Sequence, residues 1–304
     1  MRIVPQSENP GPPLWSPEGK NLLFTTDTDL VLYDPAQKTV RKIATQVVPG
    51  AYAWSSDGSQ IVCLGAPETK STEQPAWVLW ISAPSGEVQM RTDLPAQVEP
   101  LTSIVPQVSV VSLPPTWGIA FIDSGRNVYT VEAGKVYRIT STGDVQSLRV
   151  SPDGTQLQWV RSPPGSPVLV VHTYDLISRT LIGDPIRVDL RLIPHLPGYK
   201  HGGAWGILSP DGHRMLVAAT FKREAGKEKS LYSAVYLVDL PSREVRLLRQ
   251  QRPVLSQKAQ LPLLPFWSRD GSKIAVLALG DESSLWVCRA DGFGGRVIRY
   301  AKVR

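Results

Sequence analysis

One segment of the sequence has the residues of an oxyanion-binding site. His201-Gly202-Gly203-Ala204-Trp205 places two glycines after a histidine, and glycine backbone N–H groups can come close to an oxyanion. Acyl transfer at such a site also needs a nucleophile on a Gly-x-Ser-x-Gly turn, and the sequence contains no such turn. We therefore predict that this segment begins an inner strand, where glycines let backbones pack closely.

A second segment, Asp291-Gly292-Phe293-Gly294-Gly295, resembles a loop that binds phosphate through backbone N–H groups. A phosphate loop is followed by a helix and usually carries Lys-Ser or Lys-Thr, whereas a short strand pattern follows Gly295. The segment is therefore interpreted as the turn of a β-hairpin.

Histidines are the remaining candidates for chemistry. The sequence has four of them: His172, His195, His201 and His213. None has an i, i+4 partner or a Cys-x-x-Cys companion at metal-ligand spacing, and only His195 and His201 lie near each other in the chain. We therefore expect no catalytic residues, no metal and no cofactor.

A repeated turn must position these segments. An apolar residue, a serine and a triplet ending in glycine recur five times, at Trp15–Gly19, Trp54–Gly58, Val150–Gly154, Leu208–Gly212 and Trp267–Gly271. In the Ser-Pro-Asp-Gly form, proline presets φ, aspartate bonds its own backbone, and glycine adopts the left-handed conformation that closes the turn. Alternating apolar strands follow each copy. Each repeat therefore predicts four antiparallel strands, which is the blade of a β-propeller.

The spacing of the repeats predicts six blades. The gap from Ser55 to Ser151 is too long for one blade, and a degenerate repeat beginning at Trp117 fits inside it. We predict an all-β, six-bladed β-propeller with four antiparallel strands per blade and a single domain over residues 1–304. The expected blades are 12–45, 50–93, 117–147, 148–190, 202–249 and 264–301, with 94–116 as a long connection. Because Trp15, Trp54 and Trp267 share one repeat position, they are expected to pack between blades.

The repeated turns, followed by an apolar strand and later by the Asp291–Gly295 hairpin, resemble the repeats of TolB-like six-bladed propellers. The resemblance extends from Pro13 to Tyr300, and the third blade departs most from it. It implies an extracytoplasmic protein, periplasmic or extracellular and bacterial. The chain could also be part of a larger envelope protein.

Composition restricts the partners. There are 33 Lys+Arg against 27 Asp+Glu, giving a net charge of +6 and a pI near 9.3, which favours acidic partners. The basic residues are scattered rather than set in one stripe with aromatics, so no nucleic acid is expected. No apolar run reaches the ~18 residues of a membrane span. Cys63 and Cys288 stand in apolar runs and are expected to be buried free thiols. We expect a monomer.

One face of the propeller should collect the loops that could bind a partner. It is expected to carry Tyr52, Trp117, Tyr199, Lys200, His201, Phe221, Lys222, Arg223 and Phe266. We predict a non-catalytic, protein-binding scaffold whose partner is a protein or peptide, perhaps an acidic one. Two alternatives stay open: a small-molecule or metal-dependent enzyme or sensor that uses the axial channel, and the recognition domain of a larger peptidase-like chain.

Overall fold

The computed structural model describes residues 13–66, 75–101, 109–113, 118–225, 228–251, 254–255, 263–268, 270–278 and 284–299. Strands and turns make up these ranges, and the helix they contain is a three-residue 3-10 turn, Leu190–Leu192. No helix within them is long and apolar enough to cross a membrane. The all-β fold class predicted from the sequence is confirmed.

Three four-stranded antiparallel sheets come from the first half of the chain, with each strand paired to the next. The first has β1 (Leu14–Trp15), β2 (Leu22–Thr26), β3 (Asp29–Asp34) and β4 (Thr39–Ala44). The second has β5 (Val47–Trp54), β6 (Gln60–Gly65), β7 (Trp77–Ser82) and β8 (Val88–Asp93). The third has β9 (Val110–Leu113), β10 (Gly118–Ile122), β11 (Val128–Glu132) and β12 (Lys135–Arg138).

Three further antiparallel sheets complete the described chain. The fourth has β13 (Val145–Val150), β14 (Gln156–Arg161), β15 (Val168–Asp175), β16 (Thr180–Leu181) and β17 (Ile186–Asp189). The fifth has β18 (Lys200–Leu208), β19 (Arg214–Ala225), β20 (Glu228–Asp239), β21 (Val245–Gln250) and β22 (Val254–Leu255). The sixth has β23 (Leu263–Trp267), β24 (Lys273–Ala278), β25 (Ser284–Arg289) and β26 (Arg296–Arg299).

Six sheets of this kind are the six blades of a β-propeller, as the repeat count predicted. The strands of each described blade come from one continuous stretch of chain. In the fourth and fifth blades the outer position is shared. There β15 pairs with both β16 and β17, and β20 pairs with both β21 and β22.

The third blade begins earlier than the sequence analysis expected. Val110–Leu113 pairs with Gly118–Ile122 and is its first strand, although it lies in the stretch assigned to a long connection. The Asp123-Ser124-Gly125 turn therefore joins the second strand to the third, not the first to the second. The reason is that turn chemistry specifies a hairpin but not which pair of strands in a blade it joins.

The recurrent turn has the chemistry that its sequence predicts. In the copy at Ser209, the backbone N–H of Gly212 donates to the serine carbonyl, and Gly212 has a φ of 75°. The Ser209 hydroxyl oxygen accepts the N–H of Arg214 at 2.9 Å and its proton is donated to the carboxylate of Asp211. The turn thus satisfies the first N–H of the next strand, which fixes where that strand begins.

Two compact units divide the chain, the first covering residues 1–157 with 176–178 and the second 158–175 with 179–304. In the first unit, apolar side chains of β2 and β3 pack on those of β5 to β7, and a second cluster joins β6 and β7 to β10 and β11. In the second unit, one cluster joins β15 and β17 to β19 and β20, and another joins β19 and β20 to β23 and β24.

Tryptophan packs between blades at two of its three repeat positions. Trp54 and Trp267 are 8% and 9% exposed, and their indole N–H groups donate to the carbonyls of Leu14 and Ile207 in the preceding blades. Trp15 is 53% exposed, so the packing expected for it is not found. Cys63 and Cys288 are buried free thiols, as predicted.

Candidate functional site

The fifth blade brings together most of the residues predicted to face a partner. Tyr199, Lys200, His201, Phe221, Lys222 and Arg223 all lie where β18 begins and where β19 and β20 project past it. β19 and β20 have 12 residues each, against six in β6 and β7 of the second blade. A hairpin of this length can therefore present side chains away from the rest of its blade.

Three of the predicted residues are placed elsewhere. Tyr52 lies in β5 of the first unit, is 3% exposed and belongs to its apolar core, so it cannot offer a surface to a partner. Phe266 is half-buried in β23, opposite Ala275. Trp117 lies outside the described residues.

A bulge shapes the beginning of β18. His201 pairs with Phe221 and Gly203 pairs with Thr220, so Gly202 is an extra residue in the ladder. A Cβ on Gly202 would lie 3.1 Å from the carbonyl oxygen of Thr220, which explains the need for glycine there. The His-Gly-Gly segment is thus the start of a strand, as predicted. The Asp291–Gly295 segment likewise forms the turn between β25 and β26.

Residues 190–199, here called the strap, hold one face of the hairpin. The backbone N–H of Leu196 donates to the hydroxyl of Tyr232 at 2.8 Å, and the hydroxyl of Tyr236 donates to the carbonyl of Pro194. The hydroxyls of Tyr199 and Ser230 are hydrogen-bonded at 2.8 Å. Because these bonds join the strap to β20 at several heights, the base of the projecting hairpin is fixed.

Aromatic rings fill the space between the strap and the hairpin. His201, Phe221 and Tyr232 form one cross-strand row, with Phe221 stacked on Tyr232 at 4.9 Å and His201 edge-on to Phe221 at 5.6 Å. The His195 ring, from the strap, stacks on Phe221 at 5.4 Å. Phe221 is fully buried by these contacts and therefore packs rather than binds, which corrects its predicted role.

Burial governs the protonation of this cluster. It lowers the pKa of His201, and the nearby charge of His195 lowers the pKa further, while burial raises the pKa of Tyr232. The Nε2 atom of His201 is buried and has no hydrogen-bond partner among the described residues. Both effects favour the neutral imidazole.

Two histidines meet here, as the alternative of a metal site would require. A bound metal normally has three or more protein ligands. In the part of the chain that the structure describes, no three His, Cys, Asp or Glu side chains lie close enough together to hold an ion. The geometry therefore supplies an aromatic contact between imidazoles and Phe221, and no ligand set.

Exposed positive charge is the other property of the site. Lys200, Lys222 and Arg223 are exposed, and within the described residues none of them has an ion-pair partner. We call these three side chains and their backbone the basic edge. Its position beside a bulge and above an anchored aromatic row sets it apart from the paired cations of other blades, such as Lys42 with Asp29 at 3.2 Å.

Sequence analysis found the charges of this site but missed the strap. The strap contains two prolines and shows no apolar periodicity, so nothing in its pattern indicated that it packs on the hairpin. The length of the hairpin had a signal. Apolar residues alternate from Met215 to Phe221 and again from Tyr232 to Val238, which indicates one long pair of strands.

Comparison with known proteins supports the fold. No protein-family model matches the chain, and no curated protein matches it. Among solved structures, a candidate TolB from Agrobacterium tumefaciens is 17% identical, with a TM-score of 0.50, 83% of this chain covered and 84% of that one. The propeller domain of the Trilobed protease from Pyrococcus furiosus is 14% identical, with a TM-score of 0.53 and coverages of 96% and 83%.

An oligogalacturonate lyase from Vibrio parahaemolyticus is 13% identical to the chain, with a TM-score of 0.53 and coverages of 94% and 75%. Structures with different activities therefore share this architecture, and at such identities the likeness concerns the fold alone. The class that the fold defines is the six-bladed β-propeller. Within that class, the chain is TolB-like in its fold.

Proposed function

We propose that the protein is a non-catalytic binding platform that recognises another protein or peptide through the basic edge of its fifth blade. The observation that carries the proposal is the set of three exposed cations, Lys200, Lys222 and Arg223, without an anionic partner among the described residues. A surface of this kind favours an acidic partner, because opposite charges speed encounter and select against cationic competitors.

The anchoring of the hairpin supports this proposal. A binding surface loses less entropy on complex formation when it is already ordered. Here the strap bonds to Tyr232, Tyr236 and Ser230, and the aromatic row fills the space beneath it. The cations consequently stand on a fixed support, although their own side chains remain extended into solvent.

The test is retention of a partner by matched baits. The native protein, a Lys200→Ser/Lys222→Ser/Arg223→Ser variant and a control Lys20→Ser/Lys135→Ser/Lys273→Ser variant would be immobilised and exposed to envelope extract of the source organism. The control replaces three exposed lysines outside the site. We expect at least one protein to be retained by the native and control baits and lost with the first variant.

A retained protein would then be purified and titrated calorimetrically against all three baits. A tenfold or greater loss of affinity confined to the first variant is the expected result. If no protein distinguishes the two variants, or if the purified protein binds all three equally, the basic edge is not the binding surface and the proposal is wrong.

The same proposal includes an extracytoplasmic location, periplasmic or extracellular, which the TolB-like fold supports. Cell fractionation of the full-length gene product would check it. Recovery with a cytoplasmic marker would contradict this part of the proposal alone.

A further inference from the structure

Two pairs of like charges face each other across neighbouring strands in the described registers. Lys200 lies directly opposite Lys222 in the β18–β19 pair, and Lys273 lies directly opposite Arg289 in the β24–β25 pair. Side chains in such positions have Cβ atoms about 5 Å apart, and like charges there are destabilising. Each pair therefore needs a compensating anion, or it weakens its own hairpin.

The second pair has its anion in the chain. The carboxylate of Asp291 lies 3.0 Å from the guanidinium of Arg289, in the turn that follows β25. For Lys200 and Lys222, no described carboxylate lies within ion-pair distance. The backbone register places Glu224, the nearest acidic residue in sequence, opposite Lys229.

The lysine pair lies on the hairpin face that the strap does not hold. Side chains alternate between the two faces of a strand, so Lys200 and Lys222 point away from His201 and Phe221, whose rings contact the strap and Tyr232. The next residue in this cross-strand row is Leu231, on β20. The row therefore offers two ammonium groups and one aliphatic side chain.

We propose that Lys200 and Lys222 form a two-pronged clamp for the carboxylates of an acidic peptide segment, with Leu231 beside it for an apolar side chain of the same segment. This rests on the proposed function and names the chemistry of the partner. Nucleic acid fits less well, since bases need aromatic platforms and the rings of this blade end lie on the opposite face. An anion between the two ammonium groups would relieve their mutual repulsion.

The experiment uses defined peptides and the whole chain. A fluorescein-labelled dodecapeptide of alternating Glu and Leu would be titrated by fluorescence anisotropy at 50 and 300 mM NaCl. A Gln–Leu peptide and a phosphoserine–Leu peptide of equal length serve as the comparison probes. We expect the Glu peptide to bind at least tenfold more tightly than the Gln peptide at low salt, and to weaken at high salt.

Charge reversal tests the residues. Lys200→Glu/Lys222→Glu should weaken binding of the Glu peptide at least tenfold and should create binding of a Lys–Leu peptide. Lys273→Glu, from the other like-charged pair, should change binding less than twofold. If the double variant does not fold, as judged by circular dichroism, the single variants Lys200→Gln and Lys222→Gln replace it, each with an expected loss of threefold or more.

A stability readout separates binding from structure. Lys222→Glu alone turns a repulsive pair into an attractive one, so the melting temperature should rise while affinity for the Glu peptide falls. Equal binding of the Glu and Gln peptides, unchanged affinity after double reversal, or binding of the phosphoserine peptide alone would overturn the clamp. If the native bait still retains a partner that these reversals leave bound, the clamp fails while the proposed function stands.

Discussion

The serine hydroxyl at the start of the fifth blade's turn should contribute measurably to stability. Ser209 is fully buried, and its oxygen accepts the Arg214 N–H at 2.9 Å while its proton goes to Asp211. Ser209→Ala leaves that N–H without its acceptor, in a position that is only partly open to water. An unsatisfied polar group of this kind costs about 1–3 kcal/mol.

The expected effect of Ser209→Ala can be measured by thermal unfolding. One kcal/mol corresponds to roughly 2–4 °C for chains of 150–250 residues, so the melting temperature should fall by several degrees. Amide hydrogen exchange should also show faster exchange at Arg214. Ser242→Ala is the matched control, because the Ser242 hydroxyl bonds the Asp239 carboxylate at 2.7 Å in an exposed turn where water can replace it. If the two variants unfold at the same temperature, the hydroxyl does not secure the turn and the reasoning is wrong.

Three further predictions concern other parts of the fold. Arg41→Ala should lower the free energy of unfolding by about 1–2 kcal/mol, and Arg91→Ala by less than ~0.5 kcal/mol, in urea titrations, because the Arg41 guanidinium donates to the carbonyls of Ala83, Pro84 and Ser85 in the next blade while Arg91 is in an exposed ion pair; equal effects would contradict this. Hydrogen bonds from Ser268 and Ser272 lower the pKa of Asp270 to about 2, so its contribution to stability is present above about pH 4 and is lost as pH falls from 4 to 2; melting temperatures across that range should fall less steeply for Asp270→Asn, and parallel curves would refute the assignment. Both thiols should resist Ellman's reagent in the native protein and react in urea, since burial raises the pKa of Cys63 and raises that of Cys288 to about 11; rapid native reaction would show that a sheet opens.

Local chemistry explains which parts of the fold were predictable. A Ser-Pro-Asp-Gly turn contains its own proline, carboxylate and glycine, so the hairpin at Ser209 can be recognised without knowing its neighbours. The third blade has lost that signature at its first turn. Its first strand, Val110–Leu113, has only four residues, and the next recognisable turn, at Asp123, joins a different pair of strands. The repeat count was therefore right while the limits of this blade were not.

The candidate site was harder to predict because both faces of a blade are covered. In an isolated sheet, alternation separates buried from exposed positions, but in the fifth blade one face packs on β15 and β17 and the other on β23 and β24. Tyr52 and Phe221 stand near strand ends and are nevertheless buried. Charge was the better guide, because Lys200, Lys222 and Arg223 are expensive to bury without a partner and all three are exposed.

A repeat fold places its specificity where the repeats differ. Turns and tryptophans that recur in several blades are explained by hairpin closure and by packing between blades, so they cannot distinguish one propeller from another. The fifth blade departs from the others in three connected ways, namely a twelve-residue hairpin, a glycine bulge at Gly202 and a strap that buries Phe221. Each departure would be unnecessary if the blade served only to complete the propeller. Together they hold the uncompensated pair Lys200 and Lys222 at a fixed place on the surface, and an uncompensated charge pair is maintained at a cost to stability that only a bound anion relieves.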